Sequence, residues 1–279
     1  MTGAGQGRVA ALFLLPAMAL MTGIFLVPLA GVAHQSVTNP AWTLEGYAEL
    51  TTSTLFLRVL WTTFEISLSS SLATLILAYP IAYHLAKQPP RRRALLMTLV
   101  MVPFWTSILV KSYAFTVILG QHGAVNSILA WSGLPTVKLL FNRIGVIIGM
   151  GHYLIPFMVF PILNSLLAQP PDLAKAARVM GAGKLRIFWR VTLPLSMPGV
   201  MAGFLLTMIL SLGFFVTPAL LGGRKDMMMA NLVDMYTRET LDWTMASAIA
   251  MILLVLSGIL IAALSRTGGG KGILGGAAH

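Results

Sequence analysis

Six long apolar stretches, about 9–33, 59–85, 94–119, 144–167, 198–221 and 244–264, constrain this chain more than any other feature. A helix needs about 20 mostly apolar residues to cross the hydrocarbon core of a bilayer. Each stretch meets that length and adjoins a polar or Gly/Pro-rich break. None alternates apolar and polar residues with period two, as a membrane barrel strand does. Of the 279 residues 57 % are apolar and 10 % charged, against about 45–50 % and about 25 % in a soluble domain. That is too little charge to cover a water-facing surface and too much apolar side chain for a disordered chain. The chain has no cysteine, which excludes disulfides, iron–sulfur clusters and thiolate metal sites. The expectation is an all-α integral membrane protein with six transmembrane helices in a single domain, 1–279.

The first stretch ends in Gly-Val-Ala before His34, in the manner of a secretion signal. A cleavable signal has an apolar core of about 7–15 residues, whereas this run continues from 9 to 33, so it reads as an anchored helix. Lys and Arg gather on the cytoplasmic side of a membrane protein. Here one side collects Arg8, Lys87, Arg91, Arg92, Arg93, Lys175, Arg178, Lys184, Arg186, Arg190, Arg266 and Lys271 against Asp172 alone. The other mixes Lys138, Arg143, Arg224, Lys225 and Arg238 with Glu45, Glu49, Asp226, Asp234, Glu239 and Asp242. Both termini are therefore expected in the cytoplasm. The net charge of +11 is a topology signal rather than a sign of nucleic acid, and Arg91, Arg92 and Arg93 suit anionic lipid headgroups.

The loops carry further expectations. The first outer loop, 34–57, holds Trp42, Tyr47, Glu45 and Glu49 and suits a short interfacial helix. The third, 120–143, with Gly123, Gly133 and Pro135, dips into the protein surface. In the fifth, 222–243, Met227, Met228 and Met229 pack against span ends. The tail from Thr267 is Gly-rich and is expected to be mobile.

The cytoplasmic loop 168–194 is different in kind. Pro170 and Pro171 end the preceding helix and Asp172 is expected to cap the next. Leu173, Ala176, Ala177 and Met180 fall at i, i+3, i+4 and i+7, one apolar face of a two-turn helix. Gly181 suits the left-handed residue that closes it. A second short helix, 184–191, leads to Pro194 and Pro198. So short a helix is marginal alone, and its stripe packs against either this chain or a partner.

Ionisable residues inside a membrane are costly and usually functional. Glu65, Lys111 and His152 stand in the apolar stretches. Glu65 and Lys111 either pair with each other or leave Glu65 to line a cation's path. His152, beside Tyr153, reads as a hydrogen-bonded packing residue. Phe104, Trp105 and Phe215 offer ring faces to a cation or simply pack. Pro103, Pro156, Pro161, Pro198 and Pro218 are expected to kink their helices. There is no phosphate-cradling Gly-x-x-x-x-Gly-Lys-Ser/Thr loop and no His-Glu-x-x-His, so the chain is neither a motor nor a metalloenzyme.

The run Leu173-Ala174-Lys175-Ala176-Ala177, then Gly181-Ala182, then Phe188-Trp189-Arg190-Val191-Thr192-Leu193-Pro194-Leu195 resembles the EAA loop of ABC importer permeases. In that family Glu-Ala-Ala is followed after three residues by Gly and later by Leu-Pro. Ala78-Tyr79-Pro80-Ile81-Ala82-Tyr83, Pro103-Phe104-Trp105-Thr106-Ser107, Tyr153-Leu154-Ile155-Pro156-Phe157-Met158 and Pro218-Ala219-Leu220-Leu221-Gly222-Gly223 resemble, in order, segments of the polyamine (spermidine/putrescine) type. The resemblance implies a type I ABC importer permease fold in the bacterial inner membrane. It also implies a second, homologous but different permease, two ATP-binding subunits that hold ATP and Mg, and a periplasmic solute-binding protein. This chain would bind no cofactor.

Leu173, Lys175, Ala176, Ala177, Met180, Gly181 and Ala182 would couple to the ATPase, whose closure tilts the spans in alternating access. The solute would be a polyamine or a related amine or opine, with Glu65, Trp105, Lys111 and Phe215 as pathway candidates. A carboxylate there would offset the lost hydration of an ammonium. One residue departs from the family: Lys175 stands where Glu is usual, so the acidic contact with the ATPase does not carry over. With Asp172 as cap, Lys175 would be the third helical residue, where the dipole disfavours a base. The competing reading is a proton-coupled secondary transporter using Glu65 and His152, which would need neither ATP nor the loop.

Overall fold

The computed structural model describes residues 15–39 and 41–266. Residues 9–14 of the first apolar stretch, Arg8, Lys271 and the Gly-rich tail from Thr267 lie outside the described residues. In chain order the elements are α1 (Leu15–Gln35), β1 (Thr38–Asn39), β2 (Ala41–Trp42), α2 (Glu45–Thr52), α3 (Thr54–Ala86) and α4 (Pro90–Trp105). Then come α5 (Ile108–Ile118), α6 (Ala124–Trp131), α7 (Arg143–Leu167), α8 (Pro171–Val179), α9 (Lys184–Leu212), α10 (Val216–Leu221), α11 (Met229–Arg238) and α12 (Trp243–Arg266). The strands form only a two-residue antiparallel ladder. Among the described residues, all other regular structure is helical.

Among the described residues five helices, α1, α3, α7, α9 and α12, are long and apolar enough to cross a membrane. A sixth crossing exists only if α4 and α5, bent by 89° to each other, count as one. The expected third span, 94–119, is therefore broken. Thr106 and Ser107 take extended backbone, ψ 145° and 133°, so the helical ladder stops at Trp105. Pro103 has already removed one donor from that turn.

The expected fifth span, 198–221, is redrawn as well. The segment 184–191, expected as a separate short helix, is the start of α9, which runs to Leu212 and stops at Gly213; α10 completes the stretch. A π segment, Phe188–Thr192, lies within α9, and Pro194 sits in the first turn of the α-helix that follows, where a missing N–H is tolerated. At 33 residues, α3 is about 50 Å long and outruns a hydrocarbon core of about 30 Å.

The chain divides into two compact units. The first takes residues up to 57 and 232–252. In it the Tyr47 hydroxyl donates to Ser36 Oγ at 2.9 Å and Thr244 Oγ1 donates to the Thr38 carbonyl at 3.3 Å. Asp242 Oδ1 accepts the Met245 N–H at 2.9 Å and so caps α12. The short helix expected in the first outer loop is α2, with Trp42 beside it 75 % exposed. None of the apolar window of α1 is buried.

The second unit, 58–231 and from 253, is organised by α7. Val146, Met150, Leu154, Met158, Ile162 and Leu166 are buried at every fourth position, which lines them along one face. Near the start of α7, Val146, Met150 and Leu154 cluster with Ile66, Phe214, Leu221 and Met228. Further along, Met158, Val159, Ile162, Leu163 and Leu166 cluster with Ala78, Ala82 and Leu85 of α3 and Val200 of α9. Gly199 and Gly203, four apart on α9, let its backbone come against α7. A Cβ on Gly199 would overlap the Pro161 carbonyl, and one on Gly203 would lie 2.9 Å from Met158 Sδ. Met228 and Met229 are fully buried, in keeping with the packing role expected of that run.

Gly199→Val forces α9 off α7, and overpacking of this kind costs about 1–3 kcal/mol or more. The expected result is a lower unfolding temperature in detergent and faster proteolysis between α8 and α9. Gly258→Val, at a site with nothing within 4 Å, is expected to leave both unchanged.

Candidate functional site

The residues with chemistry lie at the two ends of α7, which is 25 residues and hence about 37 Å long. At its far end Pro170 and Pro171 start α8. Pro170, not Asp172, occupies the N-cap position, with no side-chain cap bond. The cap expected of Asp172 is thus corrected: the residue lies in the first turn and its Oδ1 accepts from Lys175 Nζ at 3.0 Å. Lys175 accordingly stands in the second turn, outside the worst of the dipole.

The other end of α8 is closed as the sequence requires. Gly181 has φ 80°; its N–H bonds the Arg178 carbonyl at 2.9 Å, and the Ala182 N–H bonds the Ala177 carbonyl at 2.9 Å. Both bonds of a Schellman closure are present. Ala177 is buried, while Leu173, Val179 and Met180 are 45 %, 89 % and 80 % exposed and Ala176 is exposed. The apolar stripe is therefore left largely uncovered by its own chain. The π segment that follows is anchored to α3: Phe188 stacks edge-on against Tyr79 and Tyr83 at 5.8 and 5.4 Å, and the Tyr79 hydroxyl meets Ser196 Oγ at 3.0 Å. Gln169 Nε2 donates to the Thr192 carbonyl at 3.0 Å, tying the loop to the same place.

At the near end of α7, Arg143 bridges two carboxylates. Its Nη1 pairs with Glu65 Oε1 and its Nε donates to Asp226 Oδ1 at 3.2 Å. Asp226 Oδ2 accepts the Gly223 N–H at 3.0 Å, the Asn142 N–H donates to the Leu221 carbonyl at 3.2 Å, and Thr63 Oγ1 accepts the Met229 N–H at 2.8 Å. The structure thus answers the question left open for Glu65: its partner is Arg143 rather than Lys111. Lys111 Nζ instead donates to the Pro103 carbonyl and lies 4.8 Å from the Tyr153 ring centroid. The break between α4 and α5 frees carbonyls at the negative end of α4, and a lysine is the natural partner for them.

His152 is packed, with its ring 5.4 Å from Phe115, but its buried Nδ1 has no hydrogen-bond partner among the described residues. The hydrogen bond expected of it is therefore not made through that atom. Phe104 joins a chain of rings through Phe157 (5.5 Å), Tyr153 (5.6 Å) and Phe214 (5.3 Å). Trp105 and Phe215, 65 % and 38 % exposed, are outside that chain. Among the described residues, no hydrogen bond, ion pair or ring contact joins Glu65, Trp105, Lys111 and Phe215 to one another. Arg143 and Asp226 were not singled out from sequence, although an arginine at the mouth of a long apolar run is a recognisable signal.

Residues 70–267, which take in most of the second unit, α8 and its closing glycine, match the family described as the binding-protein-dependent transport system inner membrane component. The chain belongs to that family. The spermidine/putrescine transport system permease protein PotB of Escherichia coli (strain K12) is 36 % identical over 228 residues, 81 % of this chain and 82 % of that one. PotB of Haemophilus influenzae is 35 % identical over 221 residues, 78 % and 77 % of the two chains. A solved bacterial alginate ABC transporter, in complex with an alginate pentasaccharide-bound periplasmic protein, has a similar chain with TM-score 0.75 at 19 % identity, covering 94 % of each. An inward-facing MetNI methionine ABC transporter gives TM-score 0.58 at 18 % identity, over 76 % of this chain and 94 % of that one. This protein is a multi-pass inner-membrane permease of an ABC importer, a transport component rather than an enzyme.

Arg143→Gln leaves Glu65 and Asp226 without their shared cation. The expected loss is about 2 kcal/mol, between an exposed pair's about 1 kcal/mol and a buried pair's 3–5 kcal/mol. Thermal unfolding in detergent measures it, and Glu65→Gln combined with Arg143→Gln is expected to recover part. Lys111→Met leaves the Pro103 carbonyl with the Thr106 hydroxyl alone, and loss of the bond from the charged donor is expected to cost about 1.5–3 kcal/mol, read by the same melt.

Proposed function

We propose that this permease forms half of the translocation pathway for a polyamine or a related amine or opine. It works as one domain, 1–279, beside a second, different permease, with two ATP-binding subunits holding ATP and Mg and a periplasmic protein delivering solute. α4 and α5 together make one of six spans, and both termini and α8 face the cytoplasm. The orientation rests on the basic residues gathered around 87–93, 175–190 and 266–271. The observation that carries the reading is α8: a short, firmly closed helix whose apolar stripe its own chain leaves open. PotB, at 36 % identity, supports the amine.

When the ATPases close, they move α8. The Schellman closure at Gly181 and the Phe188 anchor on α3 pass that movement into α9, and rigid-body tilting exposes the cavity to one side or the other. Glu65 offers a carboxylate to the passing ammonium. In the present conformation Arg143 holds it, so the solute exchanges with a guanidinium rather than filling a vacant site. Trp105 and Phe215 supply ring faces along the path, and Lys111 acts on it through the bend it stabilises.

A mild-detergent pull-down of the tagged chain from its native membrane tests the assembly. An ATPase and a second permease are expected in fixed ratio, and both Ala177→Leu and Gly181→Val are expected to lose the ATPase. A chain that comes down alone, under conditions that keep other complexes intact, would return the secondary transporter. Uptake of labelled spermidine or putrescine by Glu65→Gln is expected to fall about tenfold, equivalent to about 1.4 kcal/mol of transition-state stabilisation, with the complex intact. Unchanged uptake removes Glu65 from the path.

A further inference from the structure

The surface made by α8 and the start of α9 has a charge as distinctive as its shape. Val179, Met180 and Leu185 are 89 %, 80 % and 71 % exposed. Around these apolar knobs Lys175, Arg178, Lys184 and Arg186 are exposed as well, and Asp172 is the one acid on that stretch of chain. Lys175 precedes Val179 by four residues, so its amine and the most open of the knobs lie on the same side of the helix. The pairing of Lys175 with Asp172 spans one turn, with side chains 66 % and 83 % exposed. A pair so open to water is weak and gives way to a better-placed carboxylate.

Two occupants suit an apolar surface with a cationic rim: an anionic membrane surface or a protein groove. The helix itself favours the groove. The exposed Ala176 and half-buried Ala174 make its open side narrow, which allows another backbone to approach closely, whereas a headgroup layer gains nothing from a narrow helix. The double bond at Gly181 and Ala182 fixes the end of α8 in one geometry, as a shaped receptor requires and a lipid surface does not.

We propose that the ATP-hydrolysing subunit receives α8 in a groove whose floor is apolar and whose rim carries carboxylates, one of which pairs with Lys175. This rests on the reading of α8 as the docking helix and adds the chemistry of its partner. The groove is charge-matched to this permease, so an ATPase whose groove is basic is refused by like-charge repulsion. The specificity of assembly is written at Lys175.

The assembled transporter, purified with its ATPase, is treated with a zero-length carbodiimide, which joins an amine to a carboxylate as an amide with loss of water. Mass spectrometry is expected to find Lys175 joined to an Asp or Glu of the subunit that carries the Gly-x-x-x-x-Gly-Lys-Ser/Thr loop. Lys175→Glu is expected to cut solute-stimulated ATP hydrolysis about tenfold or more, and changing the cross-linked carboxylate to Lys is expected to restore it. Because the chain has no cysteine, Val179→Cys with a thiol cross-linker reports docking independently of charge. A thiol link from the Val179→Cys variant without an amide at Lys175 overturns the acidic groove while leaving docking intact. Absence of both overturns the docking reading itself. A Lys175→Glu defect confined to membranes rich in phosphatidylglycerol assigns the cations to lipid and overturns the groove.

Discussion

The second unit depends on how closely α9 can lie against α7. Apolar side chains gain little from meeting each other when the alternative is a lipid tail, so helices in a membrane associate through close packing and hydrogen bonds. Gly199 and Gly203 put the backbone of α9 directly on Pro161 and Met158 of α7, and the face of α7 that receives them is buried along its whole length. The contact makes one stiff body of two long helices. Arg143 stands at one end of that body, and α8 leaves from the other.

The same apolar runs that located the spans also concealed their interruptions. The stretch expected at 144–167 is Arg143–Leu167 almost residue for residue, and Gly181 announced the end of α8 because its left-handed φ suits few other residues. The bend between α4 and α5 was not readable in this way. Thr106 and Ser107 are too short an interruption to end an apolar run, and Pro103 looks no different from Pro156 and Pro161, which α7 absorbs without a break. The partners of the carbonyl that the break sets free are Lys111, one turn into α5, and the Thr106 hydroxyl, and only the folded chain brings the lysine to it. The partner of Glu65 was hidden for a related reason. Sequence gives the depth of a residue along its span, whereas pairing depends on which way α3 and α7 are turned about their axes.

Three cations in this chain have three fates set by their surroundings. Arg143 has a planar fork and binds two carboxylates at once, the geometry for which a guanidinium is suited. Lys111, a compact ammonium on a flexible stem, finds a carbonyl and a ring face and, among the described residues, forms no ion pair. Lys175, largely in water, is paired with Asp172 on its own helix. Composition alone counts these as the same charge. Their surroundings divide them into a brace, a cap and a solvated charge.

The π segment Phe188–Thr192 has a bearing on how α8 and α9 can move relative to each other. A π turn closes its hydrogen bonds one residue later than an α turn, so the faces of α9 before and after it are out of phase by about 100°. Lys184 and Leu185 therefore do not share a helical wheel with Gly199 and Gly203, although a single helix joins them. Such a turn stores a residue of slack in the screw of the helix. Taking it up would rotate one end of the helix against the other while its length hardly changes.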